Sequence, residues 1–489
     1  MTNRLRVWLA LATGLAMAAF TLVTLPPADT WWHLAAGRYI LEHGLPATDP
    51  FSFTAGDHPW VNHEWLVTVW FELLYRAGGL TLLYAMRSLV VVVAFVGLPL
   101  VWAWRRQSEP LGWPMLVVLA WACQTMFFID LRAYLVSYLL LSLTFLCILF
   151  YRESEKIAWL LGPVLALPLW ANCHGAFVLG AAALGSAALG CWLEGRRPQA
   201  GWLAGGALLG YLLTALNPYG TSIWMFPFSL LGRDAFRLGL NEWAAPDLSG
   251  AQLAYLLLTL VAAVLVLWRG REDRVLCLWA LLFLAAGLKT WRHEPLAGLA
   301  LAYILPGLVP EIRWPSRWIV GPLLSLAAGL LLWQRASGGV ERLTGLHTFF
   351  PVHACDWIEA NPGLPGRILN PYEWGGYLLW RLGPQRKIFF DGRAHTVYPE
   401  QVYIDGLFTQ FGEPWSRLLE REGFAPPSGD LGALLDRYQV EMVLVNRLQG
   451  NLATRLPPGW YLAYEDSNCL AFLRNTPENR SRTLLVPPR

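Results

Sequence analysis

Long apolar runs separated by short polar connections fill residues 1 to 334, and beyond that point no such run recurs. The first, Val7 to Leu25, spans the roughly 30 Å hydrocarbon core as a helix rising about 1.5 Å per residue. Further runs at 80–104, 111–128, 133–151, 157–172, 175–193, 201–216, 251–268, 275–290, 295–310 and 318–333 bring the expected crossings to about eleven. Several are short, so their ends are loosely set. A cleaved leader does not fit the first run. It is too long for the apolar stretch of a signal peptide and ends in TLPPADTWW, with no small-x-small cleavage site.

Between the first two runs stands DTWWHLAAGRYILEHGLPATDPFSFTAGDHPWVNHEW, residues 29 to 65. The pattern predicts a short surface helix over 30–43 and a second over 66–76, with Glu72 and Arg76 one turn apart. Asp29, His33, Asp49, Asp57, His58, His63 and Glu64 cannot lie in hydrocarbon, so the segment faces water at the membrane surface. Trp31, Trp32, Trp60 and Trp65 read as an aromatic interfacial belt. A belt has no need of acids and histidines clustered among its tryptophans, and their presence points to a site.

Charge orients the chain. Arg4, Arg6, Arg105, Arg106, Arg152, Lys156, Arg196, Arg197, Arg269, Arg271, Arg274, Arg313 and Arg317 all fall in alternate short connections, which are therefore cytoplasmic. The N-terminus is expected inside, and everything after residue 334 is expected in the periplasm or outside the cell, as in a multi-pass protein of a bacterial inner membrane. On the outer face the turns collect polar groups: Asp130 and Arg132; Asn172 and His174; Asn217 and Tyr219; Lys289, Arg292, His293 and Glu294. Taken singly these are helix caps or snorkelling side chains. Four such turns on one face supply the donors of a pocket for an anionic headgroup. In the outer loop 217–250, the aromatic run Ile223 to Leu231 reads as a surface-lying cover for that pocket, with Glu242 and Trp243 in reach.

Composition agrees: 55% of residues are hydrophobic and only 15% charged, which excludes a soluble globule, while a net charge of +3 selects no partner. The seven cysteines form no CxxC or zinc spacing. The expected division is a membrane domain over 1–334, with its first outer loop at 26–79, and an exported α/β domain over 335–489 with a partly parallel sheet. Asn370, Asp391, Arg393 and Asn446 fall at the carboxyl ends of its strands, where ligands bind in open α/β sheets and where helix caps also sit. The domain either binds an acceptor or packs over the membrane site. An oxidising compartment permits its two cysteines, Cys355 and Cys469, to pair.

With these features assembled, the chain resembles the GT-C superfamily, the membrane glycosyltransferases that use polyprenyl-phosphate-linked sugars. The resemblance rests on a basic start, one span, a long first outer loop with an Asp just past the membrane, two short helices in that loop and an exported C-terminal domain. More narrowly, DTWWHLAAGRYILEHG, DPFSFT, WVNHEWL, WANCHGAF, NPYG, NPYEWGGYLLW and FFDGR resemble a bacterial group of GT-C-like proteins. The resemblance implies a hexosyl- or pentosyltransferase that inverts the sugar, with a polyprenyl-phosphate donor, a glycan, lipid or protein acceptor, membrane lipids around it and no nucleic acid. By position Asp29 would be the base, assisted by His33 and Glu64, with Arg132, Lys289, Arg292 and His293 receiving the phosphate. His63, Asn172, His174, Asn217, Tyr219 and Glu242 would complete the pocket.

This chain departs from better-known members. It has no adjacent acidic pair after the first span, such as the Asp-Glu of protein mannosyltransferases, and no WWDYG-like acceptor motif of oligosaccharyltransferases. Neither sequon glycosylation nor a metal is therefore implied. HEWLV is not HExxH, since Val67 stands where the second histidine would be, and a divalent ion held by His58, His63 and Glu64 with Asp29 or His33 is the minor alternative to a site without cofactor. The competing class is a non-catalytic headgroup-binding scaffold or transporter. A transporter would show repeated halves or helices broken at mid-membrane, and the pattern shows neither.

Overall fold

The computed structural model describes residues 28–106, 130–228, 234–238, 245–246, 250–269, 273–308, 345–448 and 451–485, with residues 325 and 329 singly. The expected spans at 7–25 and 111–128 lie outside these residues, as do Glu242, Trp243 and all of the expected span 318–333 but residues 325 and 329. The chain forms two compact units, one of 1–25, 77–229 and 241–343, the other of 26–76, 230–240 and 344–489.

In the first unit the apolar runs are helices: Tyr134–Ser154, Ala158–Ala171, Val178–Leu193, Arg197–Leu213, Gly250–Arg269, Arg274–Lys289 and Glu294–Leu308. Trp65–Arg106, Tyr134–Ser154 and Gly175–Leu193 are long and apolar enough to cross a membrane. The first of these is broken at Gly78 and Gly79, and Gly79 takes φ 61°, a conformation that residues with a Cβ avoid. The break separates the short helix expected at 66–76 from the run expected at 80–104. A π-turn at Val93–Gly97 follows, and Ser142 Oγ, 2.6 Å away, donates to the Ala94 carbonyl. Trp102 Nε1 donates to the Tyr303 carbonyl at 3.0 Å, and Trp279 Nε1 to that of Ala183 at 3.1 Å. In an apolar bundle such bonds give specificity that hydrophobic contact alone does not.

The second unit is built on a five-stranded mixed sheet of order β2-β1-β3-β5-β4, with β1 Arg367–Leu369, β2 Lys387–Ile388, β3 Met442–Asn446, β4 Trp460–Glu465 and β5 Cys469–Arg474. Strands β2, β1 and β3 run parallel, and β5 and β4 close the sheet as an antiparallel hairpin. β3, MVLVN, is buried on both faces, as central strands are.

The first outer loop belongs to this unit, not to the apolar helices that flank it in sequence. Residues 51–54 lie along β2: Ile388 N–H donates to the Phe51 carbonyl at 3.1 Å, and Phe53 N–H to the Ile388 carbonyl at 3.2 Å. They cover an edge whose N–H and C=O groups would otherwise need water. The helix Thr30–His43 packs on Gly375–Leu382.

This packing corrects the aromatic belt. Trp31 is 1% exposed, set against Phe350, Tyr377 and Trp380 at centroid distances of 5.8, 5.1 and 4.7 Å, and Trp32 and Trp60 are also buried. These rings are the core of the unit, because the area a tryptophan can bury is better matched by protein than by an interface. In the outer loop, Asp234–Leu238 is helical, with Phe236 buried 4.6 Å from the ring of Tyr403. The expected pairing of Cys355 and Cys469 is absent. Both are free thiols, enclosed in the apolar interior, where cysteine packs as a small hydrophobe.

Candidate active site

Asp29 occupies the N-cap position of Thr30–His43, where an aspartate ordinarily accepts from the first N–H groups of its helix. Here its side chain makes no such bond. The carboxylate lies instead on Gly392: a Cβ built there would stand 2.0 Å from Asp29 Oδ1 and 3.1 Å from Cγ. The backbone beside Asp29 is pressed against a second glycine, since a Cβ at Gly376 would stand 2.9 Å from the Ala28 carbonyl oxygen. Segments that the sequence separates, DTWWH, NPYEWGGYLLW and FFDGR, thus meet at Asp29.

One turn of helix further on, His33 N–H donates to the Asp29 carbonyl at 3.3 Å. The His33 ring is buried between Trp32 and Phe71, with Nε2 3.8 Å from Glu64 Oε2. Glu64 Oε1 lies 3.3 Å from His63 Nε2, and Asn62 Oδ1 accepts from Glu64 N–H at 3.2 Å. Asp29, His33, His63 and Glu64 therefore belong to one unit, with Glu64 shared by two imidazoles. His58 Nδ1 lies 3.2 Å from the Pro59 carbonyl. Among the described residues no three His, Cys, Asp or Glu side chains gather as a metal set.

Asp49 and Arg393 form a network that the sequence does not announce. Arg393 Nη1 donates to Asp49 Oδ1 at 2.6 Å, while Nε and Nη2 donate to Asp391 at 2.9 and 2.7 Å. Asp49 also accepts from the N–H groups of Phe51 and Ser52 at 3.1 and 3.0 Å, and Tyr398 Oη donates to Asp391 at 2.5 Å. The guanidinium stacks on Trp60, 4.7 Å from its centroid. Burial alone would lower the pKa of Arg393, but Asp391 and Asp49 hold it firmly charged. Asn370 ties β1 to the chain after β2, donating to the Phe390 carbonyl at 2.9 Å and accepting from Phe389 N–H at 3.0 Å. Asn446 accepts from Leu448 N–H at 2.9 Å. Of the two readings of these strand-end residues, the bonds made here are those of turn and bridge residues.

The remaining candidates lie in the first unit. Asn172 and Asn217 join two turns: Asn217 Nδ2 donates to Asn172 Oδ1 at 3.1 Å and to the Ala171 carbonyl at 3.0 Å, and its Oδ1 accepts from Tyr219 N–H at 3.0 Å. His174 Nδ1 accepts from Ala176 N–H at 3.4 Å and lies 2.7 Å from Ser137 Oγ, which takes the Trp170 indole N–H at 2.7 Å. This chain places the ring proton of neutral His174 on Nε2. In the turn after Arg274–Lys289, His293 Nδ1 is 2.7 Å from Thr290 Oγ1, and Trp291 Nε1 donates to Glu294 Oε2 at 2.7 Å. Burial, with Arg292 beside it, pushes the His293 imidazolium down to about 4, so the ring is neutral at pH 7. It can offer a phosphate a hydrogen bond but not a charge. Lys289 is exposed; Arg292 and Arg132 are half-buried.

The apolar run 80–104 holds one cation that the sequence reading passed over. Arg87 is fully enclosed, 4.4 Å from the Tyr84 ring, and feels the charge of Asp130. Its signal was present, since an ionisable residue within an apolar span is a functional candidate by default.

The chain shares its fold with solved structures that include an oligosaccharyltransferase. Among solved structures the chain is similar to ArnT from Cupriavidus metallidurans bound to undecaprenyl phosphate, with a TM-score of 0.50 and 14% identity over 98% of this chain and 99% of that one. It is also similar to the oligosaccharyltransferase AglB from Archaeoglobus fulgidus. The complex of AglB with an inhibitory peptide and a dolichol-phosphate gives a TM-score of 0.53 and 12% identity over 91% of this chain and 69% of that one. The apo form gives 0.51 and 12% over 90% and 69%. No family model matches the chain, and no curated protein matches it in sequence.

Proposed function

We propose that the chain is a multi-pass glycosyltransferase of a bacterial inner membrane that moves a sugar from a polyprenyl-phosphate-linked donor to an acceptor on the outer face, inverting the anomeric centre. The reading includes about eleven spans, an N-terminus in the cytoplasm and the domain over 335–489 outside. The observation that carries it is Asp29, an N-cap aspartate that does not cap its helix and is instead packed on Gly392. The shared fold supports the donor class, because solved neighbours hold dolichol-phosphate and undecaprenyl phosphate.

In this mechanism the acceptor hydroxyl gives its proton to the Asp29 carboxylate while its oxygen attacks the anomeric carbon. The bond from that carbon to the phosphate oxygen breaks, and the lipid phosphate leaves with the electron pair. Displacement from the opposite side inverts the centre. Glu64, held by His33 and His63, orders the chain around the base. Arg132, Lys289 and Arg292 supply charge to the leaving phosphate, Arg with two parallel donors and Lys as a point charge, and neutral His293 supplies a hydrogen bond.

The test is release of undecaprenyl phosphate from a panel of undecaprenyl-phosphate-linked hexoses and pentoses by the purified full-length protein supplied with cell-envelope extract as the source of acceptor hydroxyls, with mass spectrometry of the lipid it carries through purification. Arg292→Ala should weaken donor binding as well as turnover. Ordinary phospholipid as the sole carried lipid, with no release from any donor, would leave the non-catalytic scaffold as the better description.

A further inference from the structure

The turn that receives Asp29 is unusually hard to move. Asp391 and Arg393, on either side of Gly392, are both buried, and their side chains bond each other, Asp49 and Tyr398. Asp391 Oδ1 also accepts from Arg393 N–H at 2.9 Å, and Ala394 N–H donates to the Asp391 carbonyl at 3.2 Å, which fixes the backbone of the turn itself. Shifting Gly392 would pull a buried ion pair out of register, and breaking such a pair is strongly destabilising. The segment bearing Asp29 is equally constrained, with the Ala28 carbonyl and Trp32 N–H set against Gly376. Gly392 does not sit in the left-handed region, so its backbone would accept an alanine. What an alanine would displace is the neighbour: a methyl 2.0 Å from Asp29 Oδ1 is far inside the 3.5–4.0 Å at which such atoms attract, so the carboxylate must shift.

We infer that Gly392 is a positioning residue for the reaction: its bare Cα on a rigid turn sets where the Asp29 carboxylate points, so the C-terminal α/β domain is part of the catalytic apparatus. The inference rests on the reading of Asp29 as the base. It assigns the FFDGR turn a role separate from acceptor binding, since a change at Gly392 should reach the reaction through Asp29 alone.

The experiment is a double-mutant cycle on the full-length protein, with release of undecaprenyl phosphate from the same donor panel and thermal melting as the two readouts. Gly392→Ala should lower kcat on the order of 10²-fold, the usual cost of misplacing a reacting group by about 1 Å, and leave the donor KM unchanged. Combined with Asp29→Asn it should lower kcat no further than Asp29→Asn alone. Gly366→Ala, where a new Cβ meets nothing within 4 Å, should match wild type. If Gly392→Ala melts early or fails to accumulate, Asp29→Ala in the same chain should restore melting by vacating the space. Wild-type kcat in Gly392→Ala, losses that multiply in the double variant, or no rescue by Asp29→Ala of an unstable Gly392→Ala would each overturn the inference. Wild-type turnover in Asp29→Asn would instead remove the base reading, and the melting cycle would still report whether the two residues touch.

Discussion

Asp29 and Asp49 stand in one loop and approach one three-residue turn, yet the molecule treats them differently. Asp49 is 1% exposed and accepts from two loop N–H groups, the Ser52 hydroxyl and both terminal nitrogens of Arg393. Its bonds account for it as a fastener between the loop and the domain over 344–489. Asp29 is half-buried, does not cap the helix it precedes, and rests on a bare Cα. The lesson is that residue type and loop composition nominate acids alike, while the bonds around Asp49 mark it as a fastener.

Asp29→Asn should lower turnover roughly 10²- to 10⁴-fold, the usual worth of general-base assistance, with the melting temperature and lipid binding nearly unchanged. Undiminished transfer in a folded Asp29→Asn variant would move attention to Glu64 or Asp57. Asp49→Asn should do the reverse: a less stable protein whose folded fraction keeps its kcat.

Next in size is Arg393→Met, which leaves Asp49 and Asp391 buried without their cation. Its expected cost is about 3–5 kcal/mol in denaturant unfolding. Neutralising both acids in the same chain should recover most of that loss. If Arg393→Met melts like wild type, the network is not the fastener described here.

The distinction extends to the first unit. Asn217 resembles Asp49 in having its donors and acceptors used by neighbouring turns, and Asn217→Ala should cost about 1–3 kcal/mol by leaving the Ala171 carbonyl and Asn172 Oδ1 short of a donor. Donor KM in the folded protein should not change. The smallest effect at pH 7 is expected at His293, whose folded-state pKa of about 4 lies below the unfolded value near 6.5. Because the unfolded chain binds the extra proton, this contribution is present above pH 6.5 and is lost as pH falls towards 4. His293→Gln should flatten melting over that window and shift it little at pH 7.

Much of this was legible. Apolar runs of helical length marked the bundle, and the separation of a short helix at 66–76 from a run at 80–104 matches the break at Gly78 and Gly79. The loop at 29–65 was legible as a polar segment set apart from the apolar runs, because charged groups cannot lie in hydrocarbon. The fate of its tryptophans was not, since a belt residue and a core residue share composition and differ only in what covers them. The pairing of residues 51–54 with β2 was equally hidden: the segment is too short for a clear period, and its partner lies more than 330 residues away. Gly392 carries no local signal, because Asp29, the side chain packed against it, is distant in sequence. Arg87, by contrast, was visible as a lone charge in an apolar run and was read past.

The edge pairing between residues 51–54 and β2 has a consequence in time. During synthesis the loop emerges early and its sheet late, with Gly392 following Asp29 by 363 positions. At about 5–20 residues per second the loop waits roughly 20–70 s for the strand and turn that seat it. Throughout that interval no partly made chain carries Asp29 in its final setting. Activity of the kind proposed would thus begin only when the last domain has folded, and a prematurely terminated chain would remain inert in the membrane.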